Sequence, residues 1–251
     1  MQVKLLHATP LFIASTAIRK CWASEGKSDT NYESQEEIYT KVCNLSKEAT
    51  SVMDYELGDK DKALIERVGN KFKHASTLEH TNYSFDIDGI SRACLQELAR
   101  HRHQSLSVKS SRYTLGELRE KFKGKTFDDG GGVTDYLFDS VEDYCVIPKD
   151  MDFEDTVETK LAICNSLGMI AESKLSNDKA KYMLPEAYKT SLVSTMNMRA
   201  LQNFLSLRTD KSALWEIREL AHKMFEVLPE EHKFMLEDFV KKYEKEKTNE
   251  T

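Results

Sequence analysis

Between Arg100 and Tyr113 the chain reads Arg-His-Arg-His-Gln-Ser-Leu-Ser-Val-Lys-Ser-Ser-Arg-Tyr. Four cationic or protonatable side chains in a row lead into hydroxyl groups, Lys109 and Arg112. No hydrophobic face requires that composition. Like charges crowd this closely when an anion neutralises them, and guanidinium groups meet phosphate oxygens in pairs. The segment therefore reads as a phosphate-binding cluster, with Ser110 and Ser111 as further donors. In an extended segment Ser110 and Arg112 share one face. A solvated helix end would account for an isolated Arg-His-Arg, but not for the hydroxyl run and Arg112 that follow.

Two further constellations carry polar groups of interest. His74-Ala-Ser76-Thr-Leu-Glu79-His80 precedes a strand, and its side chains either cap a turn or line a site. Taken alone, capping is the simpler reading. Asn197-Met-Arg199-Ala-Leu-Gln-Asn203-Phe-Leu-Ser-Leu-Arg208 is amphipathic, with Asn197 and Arg199 at a helix start and Asn203 and Arg208 on its polar side. A helix start bearing Asn and Arg suits a diphosphate. The histidines do not argue for a metal. On a helix, His101 and His103 point to different sides, unlike an i, i+4 zinc pair.

Elements are expected around these residues as follows. Residues 2–8 form a strand. Residues 9–23 form a helix with Thr9 as cap and Pro10 at its first position. Residues 34–49 and 59–72 have helical apolar spacing. Tyr83, Phe85 and Ile87 alternate in a half-buried strand over 80–88 that ends at Gly89. A helix over 90–102 buries Ile90, Ala93, Cys94 and Leu98 and turns Glu97, Arg100 and Arg102 outward. Residues 114–150 look irregular, with Gly130–Gly132 as a mobile excursion. Helices follow at 153–175 and from 177, then a strand at 191–196, then helices at 198–207, 212–228 and from 229 to about 243. The tail 244–251 has no apolar residue. The expected architecture is one α+β domain over 1–243, with helices packed around a mainly antiparallel sheet, plus a charged tail.

Composition narrows the function. The chain has 251 residues, 40% of them hydrophobic, enough for a full core. A net charge of -6 argues against a general nucleic-acid binder and makes the basic cluster stand out. No segment is apolar for long enough to span a membrane, and the start lacks a signal-peptide core. Five scattered cysteines without a CxxC pair read as reduced thiols of a cytoplasmic protein. There is no Gly-x-Gly-x-x-Gly after a strand and no Walker loop, so a flavin or nicotinamide would not bind through a Rossmann fingerprint.

Taken in order, these segments resemble the flavin-dependent thymidylate synthases. The matching parts are Arg19-Lys20-Cys21-Trp22, His74-x-Ser76-x-x-Glu79-His80, Gly89-Ile90-Ser91-Arg92, Glu97-x-x-Arg100-His101-Arg102 through Ser110-x-Arg112-Tyr113, Leu184-Pro185, and Asn197-x-Arg199 through Arg208. They span roughly residues 10–225. The resemblance implies a non-Rossmann flavin-binding fold. It implies dTMP synthesis from dUMP, with methylenetetrahydrofolate as carbon donor and NADPH as reductant through FAD. It also implies a homotetramer with shared active sites.

Carried over by position, Arg100, His101, Arg102, Ser76, Asn197, Arg199 and Asn203 would contact FAD, with His74 beside the flavin ring. Glu97, Arg100, Ser110, Ser111, Arg112 and Lys181 would hold dUMP. Arg208 would face the uracil and help polarise it, as the catalytic residue. Ser110 would bind rather than attack, since the family reaction is thought to need no enzyme–uracil bond. Two departures stand out. Lys181 replaces an arginine common in the family, a point charge for a fork, and Val108 replaces a Glu or Gln. A non-catalytic nucleotide- or RNA-phosphate-binding module is the alternative. It predicts phosphate binding without tight flavin.

Overall fold

A computed structural model describes residues 1–32, 55–122 and 133–241. In chain order its elements are β1 (Gln2–Ala8), α1 (Phe12–Cys21), β2 (Asn31–Tyr32), β3 (Tyr55–Glu56), α2 (Asp59–Ile65), β4 (Asn82–Ser91), α3 (Arg92–Ala99) and β5 (Gln104–Val108). There follow α4 (Ser111–Phe122), α5 (Val133–Tyr144), α6 (Phe153–Glu172), α7 (Asn177–Ala180), β6 (Lys189–Asn197), α8 (Met198–Arg208), α9 (Trp215–Glu226) and α10 (Glu230–Lys233).

The central sheet has four strands in the order β1-β4-β6-β5, and every pairing is antiparallel. Alternation dictates its sidedness. Tyr83, Phe85 and Ile87 are fully buried, and across the ladder they meet Met196, Ser194 and Leu192. Helices α1, α2, α8 and α9 cover this face with Ala14, Ile18, Leu64, Phe204, Leu220 and Met224. A second apolar cluster lies among α4, α5 and α6, around Leu115, Leu118, Leu137, Val141, Ile163 and Leu167. The expected single domain with a mainly antiparallel sheet is what the chain adopts.

One buried ion pair pins α1 to α2. Arg19 Nε donates to Asp61 Oδ1 at 2.6 Å, and the Ser28 and Thr30 hydroxyls each donate to Oδ2 at 2.6 Å. Burial alone would raise the Asp61 pKa. The hydroxyl bonds and the Arg19 guanidinium outweigh it and hold the carboxyl below its ordinary value.

Several expected boundaries move. Helix α1 starts at Phe12 rather than at Pro10. The Thr9 hydroxyl instead accepts from the Asn82 backbone at 3.1 Å, tying the chain to β4. Strand β4 does not end at Gly89. Gly89 takes a φ of +73° at a register shift, which glycine tolerates without strain, and pairing continues to Ser91. Helix α3 stops at Ala99, so residues 100–103 form a turn and 104–108 a strand. The stretch expected to be irregular holds α4 and α5. Helix α7 spans only Asn177–Ala180, α9 begins at Trp215, and α10 is a single turn. The helix expected over 34–49, Gly130–Gly132 and the tail 244–251 lie outside the described residues.

Candidate active site

Helix α3 delivers the basic cluster. Ser91 caps its start by accepting from the Cys94 backbone at 2.9 Å, and Glu216 of α9 accepts the Ser91 backbone N–H at 2.7 Å. Glu216 also takes the Ser91 hydroxyl. Burial pushes the Glu216 pKa up, with the Ser91 bonds opposing it. Helix α3 ends at Ala99 with Arg100 as its C-cap, still in helical backbone geometry, and the chain leaves the helix over His101–His103. Arg100 and Arg102 both point outward, as expected, although only Arg100 keeps helical backbone geometry.

Helix α8 supplies the opposing wall. Asn197 ends β6 and caps α8, its Oδ1 accepting from Ala200 N at 2.8 Å. Arg199 follows in the first turn, and its Nη1 donates to Glu79 Oε1 at 2.7 Å. Glu79 belongs to the two-turn 3-10 helix Ala75–His80. Together Glu79, His101, Arg102, His103, Asn197, Arg199, Ala200 and Asn203 enclose a groove of about 400 Å³. Five of the expected cofactor residues thus meet in one place: His101, Arg102, Asn197, Arg199 and Asn203.

Arg208, one helix length from Arg199, joins this wall through His101. Its Nε donates to His101 Nε2 at 2.9 Å, its Nη1 to Glu97 Oε2 at 2.7 Å, and its Nη2 to the Glu97 carbonyl at 3.3 Å. The Arg208 side chain, on the polar side of α8, is only 15% exposed because it packs onto Glu97 and His101. His101 packs edge-on against Phe204, ring centres 5.0 Å apart. Burial, reinforced by Arg208 and Arg100, drives the His101 pKa down to about 4. The ring is neutral at pH 7, and its Nε2 lone pair faces the guanidinium. Burial works against ionisation of Glu97. The bonds from Arg208 and from Arg100, at 3.2 Å, prevail and hold it below the ordinary carboxylate value.

The remaining expected residues stand elsewhere in the chain. Ser110 and Ser111 open α4, with the Ser110 carbonyl accepting from Tyr113 N at 3.1 Å. Arg112 is therefore in the first turn of a helix, not in extended register with Ser110. It pairs with Asp178 of α7 at 2.7 Å, while the Asn177 amide donates to its carbonyl at 2.8 Å. Lys181 sits just beyond α7, over the Tyr182 ring at 5.7 Å. None of these four lines the groove. His74 and Ser76 are exposed at the Ala75–His80 turn and do not line it either. Val108, near the outer end of β5, is also exposed.

Sequence reasoning gave His103 no role beyond the charge cluster, and it missed the Asp178 partner of Arg112. No local signal marks either one, because both depend on where the chain turns. Among the described residues no group of three His, Cys, Asp or Glu could hold a metal ion. Cys94, Cys145 and Cys164 are buried, and burial pushes each thiol up, away from reactivity.

Comparison with known proteins gives a consistent answer. The family described as "Thymidylate synthase complementing protein" matches residues 4–232. A flavin-dependent thymidylate synthase of Campylobacter jejuni is 48% identical over 237 residues, covering 94% of this chain and 96% of the relative. That of Wolinella succinogenes is 46% identical over 235 residues, covering 94% and 97%. A crystal structure of the Helicobacter pylori enzyme complexed with FAD and dUMP aligns with a TM-score of 0.75 at 41% identity. It covers 96% of this chain and all of that one. With a groove lined by Arg102 and Arg199, an Arg208–His101–Glu97 cluster at its edge and these relatives along nearly its whole length, the chain belongs to the flavin-dependent thymidylate synthase family.

Proposed function

We propose that the protein converts dUMP to dTMP by reductive methylation, a methyl-group transfer. In this reading methylenetetrahydrofolate gives the carbon and NADPH gives the reducing equivalents, relayed through FAD. The observation that carries it is the double engagement of His101. The same ring lines the groove and accepts a hydrogen bond from Arg208.

The groove fits the phosphate-bearing part of FAD. Arg102 and Arg199 offer two guanidinium groups, Asn197 and Asn203 offer amides, and the start of α8 faces the same space. When bound, FAD supplies the two-electron reduction that the methylene carbon needs to become a methyl group. The protein's own groups position and polarise. Arg208 places a fixed cation where negative charge grows on the pyrimidine, and such preorganised stabilisation is commonly a large catalytic term. Glu97 and neutral His101 hold that guanidinium in one orientation.

Glu97, Arg100, Ser110, Ser111, Arg112 and Lys181 form the proposed dUMP set. Among the described residues no base is bonded to the Ser110 hydroxyl, in keeping with a binding role. The FAD set has Arg100, His74 and Ser76 beside the groove residues. A groove of about 400 Å³ is small for a whole dinucleotide, and the dUMP residues do not line it. Both facts favour sites completed by other subunits of a homotetramer. No helix among the described residues is long and apolar enough to cross a membrane. Together with the buried reduced thiols this favours a cytoplasmic enzyme.

The test is a turnover assay with carbon-labelled methylenetetrahydrofolate, FAD, dUMP and NADPH, with dTMP analysed by mass spectrometry. Labelled dTMP formed only with all components present is the expected result. Phosphate or nucleotide binding without flavin or product would favour a non-catalytic module.

A further inference from the structure

The turn that carries His101, Arg102 and His103 into the groove is held closed by Gln104. This residue begins β5, opposite Met196. Its side chain folds back along the chain instead of pointing outward. The amide Nε2 donates to the Leu98 carbonyl at 2.7 Å, six residues upstream. The amide oxygen accepts from the Ser194 hydroxyl at 3.2 Å, and Ser194 is fully buried on β6. A carbonyl can only accept and a hydroxyl can donate, so these two partners fix which way the amide faces.

The Leu98 carbonyl lies in the last turn of α3, where carbonyls lack helical partners. The His101 backbone N–H reaches the same oxygen at 3.1 Å. Gln104 and His101 thus cap α3 together and span the turn between them, while Ser194 anchors the cap to the central sheet. His101 in turn accepts from Arg208.

We infer that Gln104 is a positioning residue for flavin binding: its amide bridges the end of α3 to Ser194 and so sets the geometry of the Arg100–His103 turn. Its amide hydrogen-bonds Leu98 and Ser194 rather than Arg102 or Arg208, and acts through the backbone of the turn. The inference rests on placing the flavin in the groove that this turn lines.

The test measures the FAD Kd of the intact protein by flavin fluorescence for wild type, Gln104→Glu, Ser194→Ala and Arg102→Ala. Glutamate keeps the acceptor for Ser194 but sets an oxygen against the Leu98 carbonyl. At about pH 8, where a carboxylate is ionised, Gln104→Glu should weaken FAD by about tenfold. Protonated glutamate can donate again. Lowering the pH toward about 5 should therefore restore much of the affinity, relative to wild type at each pH. Ser194→Ala should cost only about twofold to threefold, since one neutral hydrogen bond is lost. Wild-type affinity in Gln104→Glu at about pH 8 would overturn the proposal. So would a loss that stays constant as pH falls, since protonation returns the donor that the Leu98 carbonyl accepts. Arg102→Ala separates the two claims. Unchanged FAD binding in that variant would remove the flavin from this groove, whatever Gln104 does.

Discussion

Arg208 makes three polar contacts, two to Glu97 and one to His101, so its position is set from two sides. Arg208→Ala is expected to lower the dTMP turnover rate by about a hundredfold or more, the scale of losing one preorganised charge. FAD should remain bound in that variant, because Arg208 does not line the groove. Near-wild-type turnover would remove Arg208 from its role. A second residue-scale effect concerns His232, which is 1% exposed and shares a hydrogen bond of 2.9 Å between its Nδ1 and the Tyr83 hydroxyl. Burial lowers its pKa from 6.5 to about 4, while Glu231 pulls weakly the other way. The unfolded chain therefore takes up a proton below about 6.5 that the folded chain refuses until about 4. Folding stability should fall as pH drops through that window. Equilibrium unfolding of His232→Phe should show a shallower decline between the same limits, and parallel curves would contradict the assignment.

At the scale of elements, the Arg19–Asp61 pair decides how α1 meets α2. Both side chains are nearly inaccessible, at 7% and 0% exposure. Asp61→Ala would leave a buried guanidinium unpaired and the Ser28 and Thr30 hydroxyls without their acceptor. A loss of about 3–5 kcal/mol in unfolding free energy is expected by denaturant titration. A loss below about 1 kcal/mol would mean that water reaches the pair. Elements with a clear period were readable in the sequence. Tyr83, Phe85 and Ile87 announce β4, and Leu201, Phe204 and Leu205 announce α8. The end of α3 was not readable, because nothing in Ala99-Arg100-His101 breaks a helix. It stops there because Gln104 and His101 take up its terminal carbonyl and β6 pairs with the residues that follow. The same tertiary decision hides the start of α4, where Ser110 and Ser111 read equally well as an extended binding segment.

For the whole molecule, the residues proposed for FAD and dUMP lie in two places within one chain: Glu97 and Arg100 stand beside the groove with His101, whereas Ser110, Ser111, Arg112 and Lys181 stand apart from it. Arg102 and Arg199 face the groove, while Arg112 lies against Asp178 of α7. The sequence motif joins Arg102 and Arg112 by ten positions of chain, yet the fold sets them on different elements. If subunits share sites, mixing inactive Arg102→Ala and Arg112→Ala proteins through a dissociation step should restore part of the activity. A mixture as inactive as its components would place both residues in one subunit's site. The most direct test of the central claim is NADPH oxidation by FAD-loaded protein, followed with and without dUMP. Oxidation accelerated by dUMP is the predicted result, since it ties flavin, reductant and nucleotide to one functional site. A protein that holds no FAD, and does not oxidise NADPH with dUMP present, would contradict the account.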